Sequence, residues 1–236
     1  MDRINEAIEH LRRGRPVLIY DSDGREEETD IVIAAEAATP EYVRMLRKDG
    51  GGLLCVSIHP SIAERLGLPF LTEVWEHSIP RFPVFKELWP HDIPYDEKSA
   101  FSITINHRRT FTGISDNDRS LTITELARIG RKALNGRFRP EEFGECFRSP
   151  GHVTLLRAAE GLLKTRKGHT ELSVALMEMA GLVPMAAICE MLGDDGNSLS
   201  IKEAARFAEK EGLVFIEGRE AIDRYLQGQS ATARVR

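Results

Sequence analysis

"DSDGREEETD", residues 21–30, sets six carboxylates and one arginine between two apolar runs, "PVLIY" (16–20) and "IVIAAE" (31–36). Each run has the length of a buried strand, and the stretch between them is too short for a crossover helix. Two strands joined this way make the sheet mixed and not purely parallel, and that decides the fold class. The loop itself allows two readings. It is a solvated hairpin turn, as most acidic turns are, or it is a hard-cation site in which Arg25 meets an anion. Six like charges oppose a compact state unless something offsets them.

Working outward, residues 2–13 read as a helix with Ile4, Ala7, Ile8 and Leu11 on one face, ended by Gly14. Thr39-Pro40 predicts a helix start that runs to "DGGG" (49–52), and "LLCVSI" (53–58) is a third strand. "SAFSITI" (99–105) alternates, with Phe101, Ile103 and Ile105 on one face. "TGISDNDRSLTITELA" (112–127) turns into a helix whose start is expected at Thr122, which has capping-box spacing to Glu125. "RKGHTELSVALMEMAGL" (166–182) predicts a helix with Thr170 as N-cap, Leu172, Ala175, Leu176 and Met179 on one stripe, and Gly181 as C-cap. "PMAAICEML" (184–192) and "LVFIEG" (213–218) are further strands, and Ser200 with Glu203 opens a helix between them that runs to about Lys210. Residues 69–98 hold five of the eleven prolines and both tryptophans without a periodic apolar stripe, so they read as a loop excursion. The expectation is a mixed α/β (α+β) fold. It is a single-domain three-layer α-β-α sandwich over residues 1–226 with a flexible tail over 227–236.

A net charge of −5 argues against general affinity for nucleic acid, which needs a basic face. No apolar run approaches the ~20 residues of a membrane span. "MDRINEAIEHLRRGRP" lacks the apolar core of a signal peptide. Cys55, Cys146 and Cys189 form no CxxC pair, so a reducing cytoplasm is the expected compartment.

The histidines are not equivalent. His10, His59, His77, His91 and His107 sit in polar or irregular contexts and read as surface residues. His152 and His169 each follow a glycine, which permits a sharp turn and the close approach of a ligand to the backbone, or is simply part of a turn. In "RKGHTE" (166–171), Arg166 is a fork donor suited to phosphate, and Gly168 and Thr170 lead into a helix N-terminus, where free N–H groups favour an anion. If this loop meets the loop at 21–30, one site holds carboxylates, a divalent cation and a phosphate cradle. Magnesium needs only one or two carboxylates, and a histidine nitrogen suits manganese. Cys55, at the end of the "GGGLLC" run, reads by itself as a small core residue. Glu190, at the end of an apolar strand, is costly there unless paired or functional.

Six segments in order, "DSDGREEETDIVIAAE", "GGLLCVSI", "FTGISDNDRSLTI", "FRSPGHVTLLRA", "RKGHTELSVALMEMAGL" and "AAICEML" with "DDG", together resemble the 3,4-dihydroxy-2-butanone 4-phosphate synthases of riboflavin biosynthesis. The resemblance covers residues 4 to about 217. It implies conversion of ribulose 5-phosphate to a four-carbon dihydroxybutanone phosphate and formate, with Mg²⁺ or Mn²⁺, by a cytoplasmic homodimer with sites near the subunit interface. By motif position, Glu26 and His169 are then metal ligands. Arg25, Glu26, Asp30, Arg166, Lys167, Gly168, His169, Thr170 and Glu190 hold the substrate. His152, Glu190, Glu28, Cys55 and Asp21 fall on catalytic or site-lining positions.

Two departures stand out. A common family form of the acidic loop reads Arg-Glu-Asn-Glu-Gly-Asp, whereas here Glu27 replaces the asparagine and Thr29 the glycine. The 69–98 excursion is also longer than in the shorter members, and the chain leaves no room for the cyclohydrolase domain fused to many of them. The same side chains suit two other readings, a metal-dependent pentulose-phosphate isomerase or aldolase and a non-catalytic sugar-phosphate sensor. Formate release separates the first from the synthase. Acid–base candidates beside the binding groups argue against the second.

Overall fold

The computed structural model describes residues 2–233. Helix α1 (Arg3–Arg12) opens at Asp2, whose carboxylate accepts the Ile4 N–H, and buries Ile4, Ala7, Ile8 and Leu11. Strands β1 (Val17–Tyr20) and β2 (Thr29–Ala34) pair antiparallel, so the acidic strip is the loop of a hairpin. Helix α2 (Pro40–Met45) starts with its proline after Thr39, whose hydroxyl accepts the Tyr42 N–H. Strand β3 (Cys55–Ile58) and helix α3 (Pro60–Leu66) follow. The 69–98 excursion contains α4 (Leu71–Ser78) and α5 (Val84–Glu87). Next come β4 (Phe101–His107), α6 (Asp116–Leu134), α7 (Pro140–Cys146) and β5 (Phe147–Arg157). The chain then forms α8 (His169–Ala180), β6 (Met185–Glu190), α9 (Ile201–Glu211), β7 (Val214–Glu217) and α10 (Gly218–Ala233).

One seven-stranded sheet, ordered β4-β5-β3-β6-β2-β1-β7, joins these strands. The pairs β1/β7 and β3/β5 are parallel and the rest antiparallel, which is the mixed sheet expected from the short first connection. Successive strand residues face opposite sides. Leu18, Ile31, Ile33 and Val56 therefore join one core with Ile62, Ile123, Leu126 and Ala204 of α3, α6 and α9. Val17, Ile19, Val32 and Cys55 join a second core with Ile4, Leu172, Val174 and Ala221 of α1, α8 and α10. The result is the three-layer α-β-α arrangement. Among the described residues, no helix is long and apolar enough to cross a membrane.

Several local expectations are corrected. Helix α6 begins at Asp116, about two turns before the expected start, because Ser115 Oγ already accepts the Asp118 N–H at 3.2 Å. Thr122 lies inside the helix, where its hydroxyl accepts the His107 N–H at 3.0 Å and donates to the Asp118 carbonyl at 2.9 Å, tying α6 to β4. Gly168, not Thr170, is the N-cap of α8. Phe101 is 41% exposed while Ile105 is fully buried, because β4 reaches the core only at its second half. His107 is buried, edge-on to Phe147. The excursion is not devoid of structure. Its two helices bury nothing, but Trp75 stacks on Phe85 with ring centroids 5.6 Å apart. The tail expected from residue 227 is helical through Ala233, continuing the turns anchored by Ala221 and Tyr225. Residues 234–236 of that expected tail lie outside the described residues.

Gly151 admits backbone, not a ligand. A Cβ there would stand 1.9 Å from the Ile105 carbonyl carbon and 2.3 Å from the Asn106 N, so β4 and β5 touch at this point only because the side chain is missing. Gly151→Ala is expected to destabilise the fold by about 3 kcal/mol or more, since the clash is with main chain that cannot swing aside. A urea midpoint within error of the parent would refute this.

Candidate active site

The acidic loop is folded by its first residue. Asp21 is almost wholly buried, and its two oxygens accept the N–H groups of Glu26 at 3.0 Å and Glu28 at 3.2 Å. Its own N–H donates to the Glu28 carbonyl at 3.2 Å. Asp21 thus shapes the loop and does not line the cavity described below. Glu27 has φ 57°, in the left-handed region. Asparagine tolerates that region and glutamate pays strain there, and Glu27 Oε1 offsets the strain by accepting the Gly24 N–H at 2.8 Å. Thr29 is fully buried in β2, opposite Tyr20.

Strand β2 then carries Asp30 onto the α8 face of the sheet, directly across from Glu190 of β6. Helix α8 begins beside them. His169, 4% exposed, stands between two carboxylates: Glu26 Oε2 lies 3.0 Å from Nδ1 and Asp30 Oδ1 lies 3.6 Å from Nε2. Burial opposes charge on His169, but Asp30, Glu26 and Asp21 outweigh it and push its pKa up to about 10. Burial also works against ionised Glu26, yet the bond to His169 and the nearby Arg166 and Arg25 hold it below the usual carboxylate range. Asp30 goes the other way. Complete burial and the charges of Glu190, Glu26 and Glu28 push its carboxyl well up, with His169 acting against them. Burial likewise raises Glu190, whose Oε2 accepts the Leu53 N–H at 2.7 Å. The cluster therefore draws protons, as surplus negative charge in a dry site must.

These groups border a cavity of ≈ 250 Å³. That is below the ~300–1,000 Å³ of pockets for drug-sized ligands and suits a small polar metabolite. Glu26, Glu28, Asp30, Cys55, Arg166, His169, Thr170 and Glu190 all line it, so the two distant loops converge as expected. Glu28 Oε1 accepts the Ser198 hydroxyl at 2.5 Å. Cys55 is buried, and burial together with Glu190 and Asp30 raises its thiol well above the usual range, so it lines the wall as a neutral group.

Besides Asp21, four expected residues, Arg25, Lys167, Gly168 and His152, stand apart from the cavity wall. Lys167 is exposed. Gly168 is the helix cap, and a Cβ there would lie 2.6 Å from Arg166 Nη1 and 3.0 Å from Arg25 Nη2, so the missing side chain lets both guanidinium groups reach the α8 N-terminus. His152 is exposed on β5 and held by Asn106.

The excursion supplies what sequence reasoning missed. Tyr95, Asp96 and Lys98 line the cavity. Asp96 Oδ2 accepts from Arg166 Nε at 2.5 Å and from Arg25 Nη2 at 3.1 Å, and Arg166 Nη1 donates to the fully buried Glu171 at 2.6 Å. No periodic signal marks Asp96. The only available hint was two arginines assigned to one anion with no resting partner.

The residues fit a divalent cation. Asp21, Glu26 and His169 each bring one ligand atom to within 4.8 Å of the others. His169 Nε2 and Asp30 Oδ1 are buried without a hydrogen-bond partner, a cost that a bound ion would remove. Two oxygens and one imidazole nitrogen form a donor set for Mg²⁺ or Mn²⁺.

The sequence pattern of the 3,4-dihydroxy-2-butanone 4-phosphate synthases matches residues 5–224. The chain belongs to that family. It is 55% identical over 228 residues to the 3,4-dihydroxy-2-butanone 4-phosphate synthase of Methanothermobacter thermautotrophicus, covering 96% of this chain and 97% of that one. It is 48% identical over 222 residues to the enzyme of Archaeoglobus fulgidus, covering 93% and 92%. A solved 3,4-dihydroxy-2-butanone 4-phosphate synthase in complex with two magnesium ions superposes with a TM-score of 0.75 at 28% identity, covering 97% of this chain and 99% of that one. The family is one of lyase-type enzymes, and the mixed α/β sheet of this single-domain chain matches that of its solved members.

Asp96 occupies both guanidinium groups, so a phosphate arriving at them would have to compete with it. Asp96→Asn is expected to tighten binding of inorganic phosphate roughly tenfold, or about 1.4 kcal/mol, by titration calorimetry. Weaker binding would mean that Asp96 positions the arginines and does not compete at them.

Proposed function

We propose that the chain converts D-ribulose 5-phosphate to L-3,4-dihydroxy-2-butanone 4-phosphate and formate, the reaction of its family in riboflavin biosynthesis. The observation that carries this reading is the contact of Glu26 with His169 inside a cavity also lined by Glu28, Asp30, Glu190 and Arg166.

Glu26 and His169, with Asp21 behind them, are the residues that would hold Mg²⁺ or Mn²⁺. When bound, the cation would polarise the substrate ketone as a Lewis acid and neutralise the acidic loop. Arg25 and Arg166, with Lys167 and the backbone at Gly168 and Thr170, take the phosphate end at the N-terminus of α8, where N–H groups and the helix dipole favour an anion. Asp30 and Glu190 face each other across β2 and β6 and bind the sugar hydroxyls. Enolisation and the later skeletal shift require protons to leave and return at several carbons. Glu28 and Glu190 move them. The environment of Glu190 raises its pKa, which suits a group that alternates between acid and base. Cys55 closes the apolar wall.

His152 completes the set across a homodimer. It lies outside the cavity of its own chain, and the neighbouring loop presents Phe111 at 94% exposure and Ile114 at 52%. Large apolar side chains left this open on a turn favour a protein interface. A second copy seated there brings His152 of one subunit to the cavity of the other. All three cysteines are free, which suits a reducing compartment, and we assign the cytoplasm.

Incubation with ribulose 5-phosphate and Mg²⁺ is expected to release one formate per sugar consumed. Chelation is expected to stop the release, and Mg²⁺ or Mn²⁺ to restore it. His169→Ala should lower kcat by roughly 100-fold or more, about 2.7 kcal/mol in the barrier. Tight substrate binding with no formate in any metal would overturn the assignment. Mixing inactive His152→Ala with inactive Glu190→Gln subunits is expected to regain activity, since one site of each mixed dimer is intact. No recovery after subunit exchange would place His152 within its own chain's site or outside the chemistry.

A further inference from the structure

Asn106 lies on the edge strand β4 and is 4% exposed. Its amide faces His152. Oδ1 accepts the His152 backbone N–H at 2.8 Å, and Nδ2 lies 3.1 Å from His152 Nδ1. Nδ2 also donates to the Thr112 carbonyl at 3.4 Å.

The orientation of this amide is not a free choice. A backbone N–H only donates, so the atom facing the His152 N–H must be the oxygen. A carbonyl only accepts, so the atom facing Thr112 O must be the nitrogen. Gly113 backs the group: a Cβ there would stand 2.1 Å from Nδ2 and 2.4 Å from Oδ1. The carboxamide therefore fills a slot left by a glycine and points its NH₂ at His152 Nδ1. A nitrogen facing a donor must offer its lone pair, and a neutral imidazole then carries its proton on the other nitrogen.

We propose that Asn106 is a positioning residue that locks neutral His152 as the Nε2–H tautomer, so that His152 meets the substrate as a hydrogen-bond donor and not as a base. No proton changes hands at this ring. Its Nε2–H stabilises the substrate oxygen on which negative charge builds, and the carboxylates Glu28 and Glu190 do the proton transfers. Fixed donors aimed at developing charge are among the larger contributions to catalysis. The proposal rests on the role given to His152 above, and it assigns the chemistry of that role.

The test is the ring ¹⁵N spectrum of the full-length protein labelled at histidine, with the His152 signals identified by their loss in His152→Ala. Nδ1 is expected to show the unprotonated signature and Nε2 the protonated one. Asn106→Asp keeps the shape but replaces the NH₂ with an acceptor, so it is expected to reverse the two signatures. It should also lower kcat on the order of 100-fold with KM changed by less than about twofold, because the substrate-binding groups are untouched. A parent ring protonated at Nδ1, or an Asn106→Asp spectrum identical to the parent, would overturn the lock. A reversed spectrum with unchanged kcat would leave the lock standing and sink the role of His152 in the reaction.

Discussion

His169 is wedged between Glu26 at 3.0 Å and Asp30 at 3.6 Å, and the rest of the cavity is arranged around that contact. The three side chains come from a loop, a strand and a helix N-terminus, so their meeting constrains all three. Asp30 must occupy a β2 position that faces α8, which fixes the register of the hairpin. Glu26 must leave the loop at the right height, and the two Asp21 carboxylate bonds to the backbone set that height. The start of α8 must abut the sheet, and Ser173, one turn in, does this by bonding Ser57 of β3 at 2.8 Å.

That geometry concentrates charge. Glu26, Glu28, Asp30, Asp96 and Glu190 line a small cavity whose cationic side chains are Arg166, Lys98 and, when protonated, His169. Arg166 is further committed to Glu171 behind the wall. In the absence of a ligand the site relieves the surplus by taking up protons, as the raised Asp30 and Glu190 show. It also pairs Arg25 and Arg166 with a carboxylate of its own, Asp96. A divalent cation near Glu26 and a phosphate near Arg166 would relieve both stresses together. Substrate and metal are thus expected to bind with positive coupling, each removing a repulsion that the other would otherwise meet.

Much of this was legible in the sequence, for identifiable reasons. The hairpin, the mixed sheet and the α1 stripe follow from apolar spacing, because burial of one face fixes period and phase. The convergence of residues 21–30 with 166–171 was legible only through the resemblance, since no local signal says which loops meet. Asp96 was not legible at all. Helices α4 and α5 bury nothing, so no hydrophobic period marked them, and the value of Asp96 comes from two arginines about 70 positions away in either direction. The Thr122 and Thr170 cap assignments failed because the chain is already helical before each of them: α6 opens at Ser115, whose Oγ accepts the Asp118 N–H, and α8 opens after Gly168. Capping boxes specify a spacing, and tertiary contacts choose among the candidates.

The glycines at 113, 151 and 168 repay the same reading. Each sits where a Cβ would collide with a named group: the Asn106 amide, the β4 backbone, and the Arg166 and Arg25 guanidinium groups. Of the three, only Gly113 needs a positive φ, at 93°. The motif glycines are therefore chiefly spaces into which other parts of the site are fitted. This explains why a glycine before a histidine carried a different meaning at each of its two occurrences. At Gly168 it brings two cations to the start of α8. At Gly151 it brings β4 against β5, and so sets Asn106 beside His152, close enough for one amide to decide which ring nitrogen holds the proton.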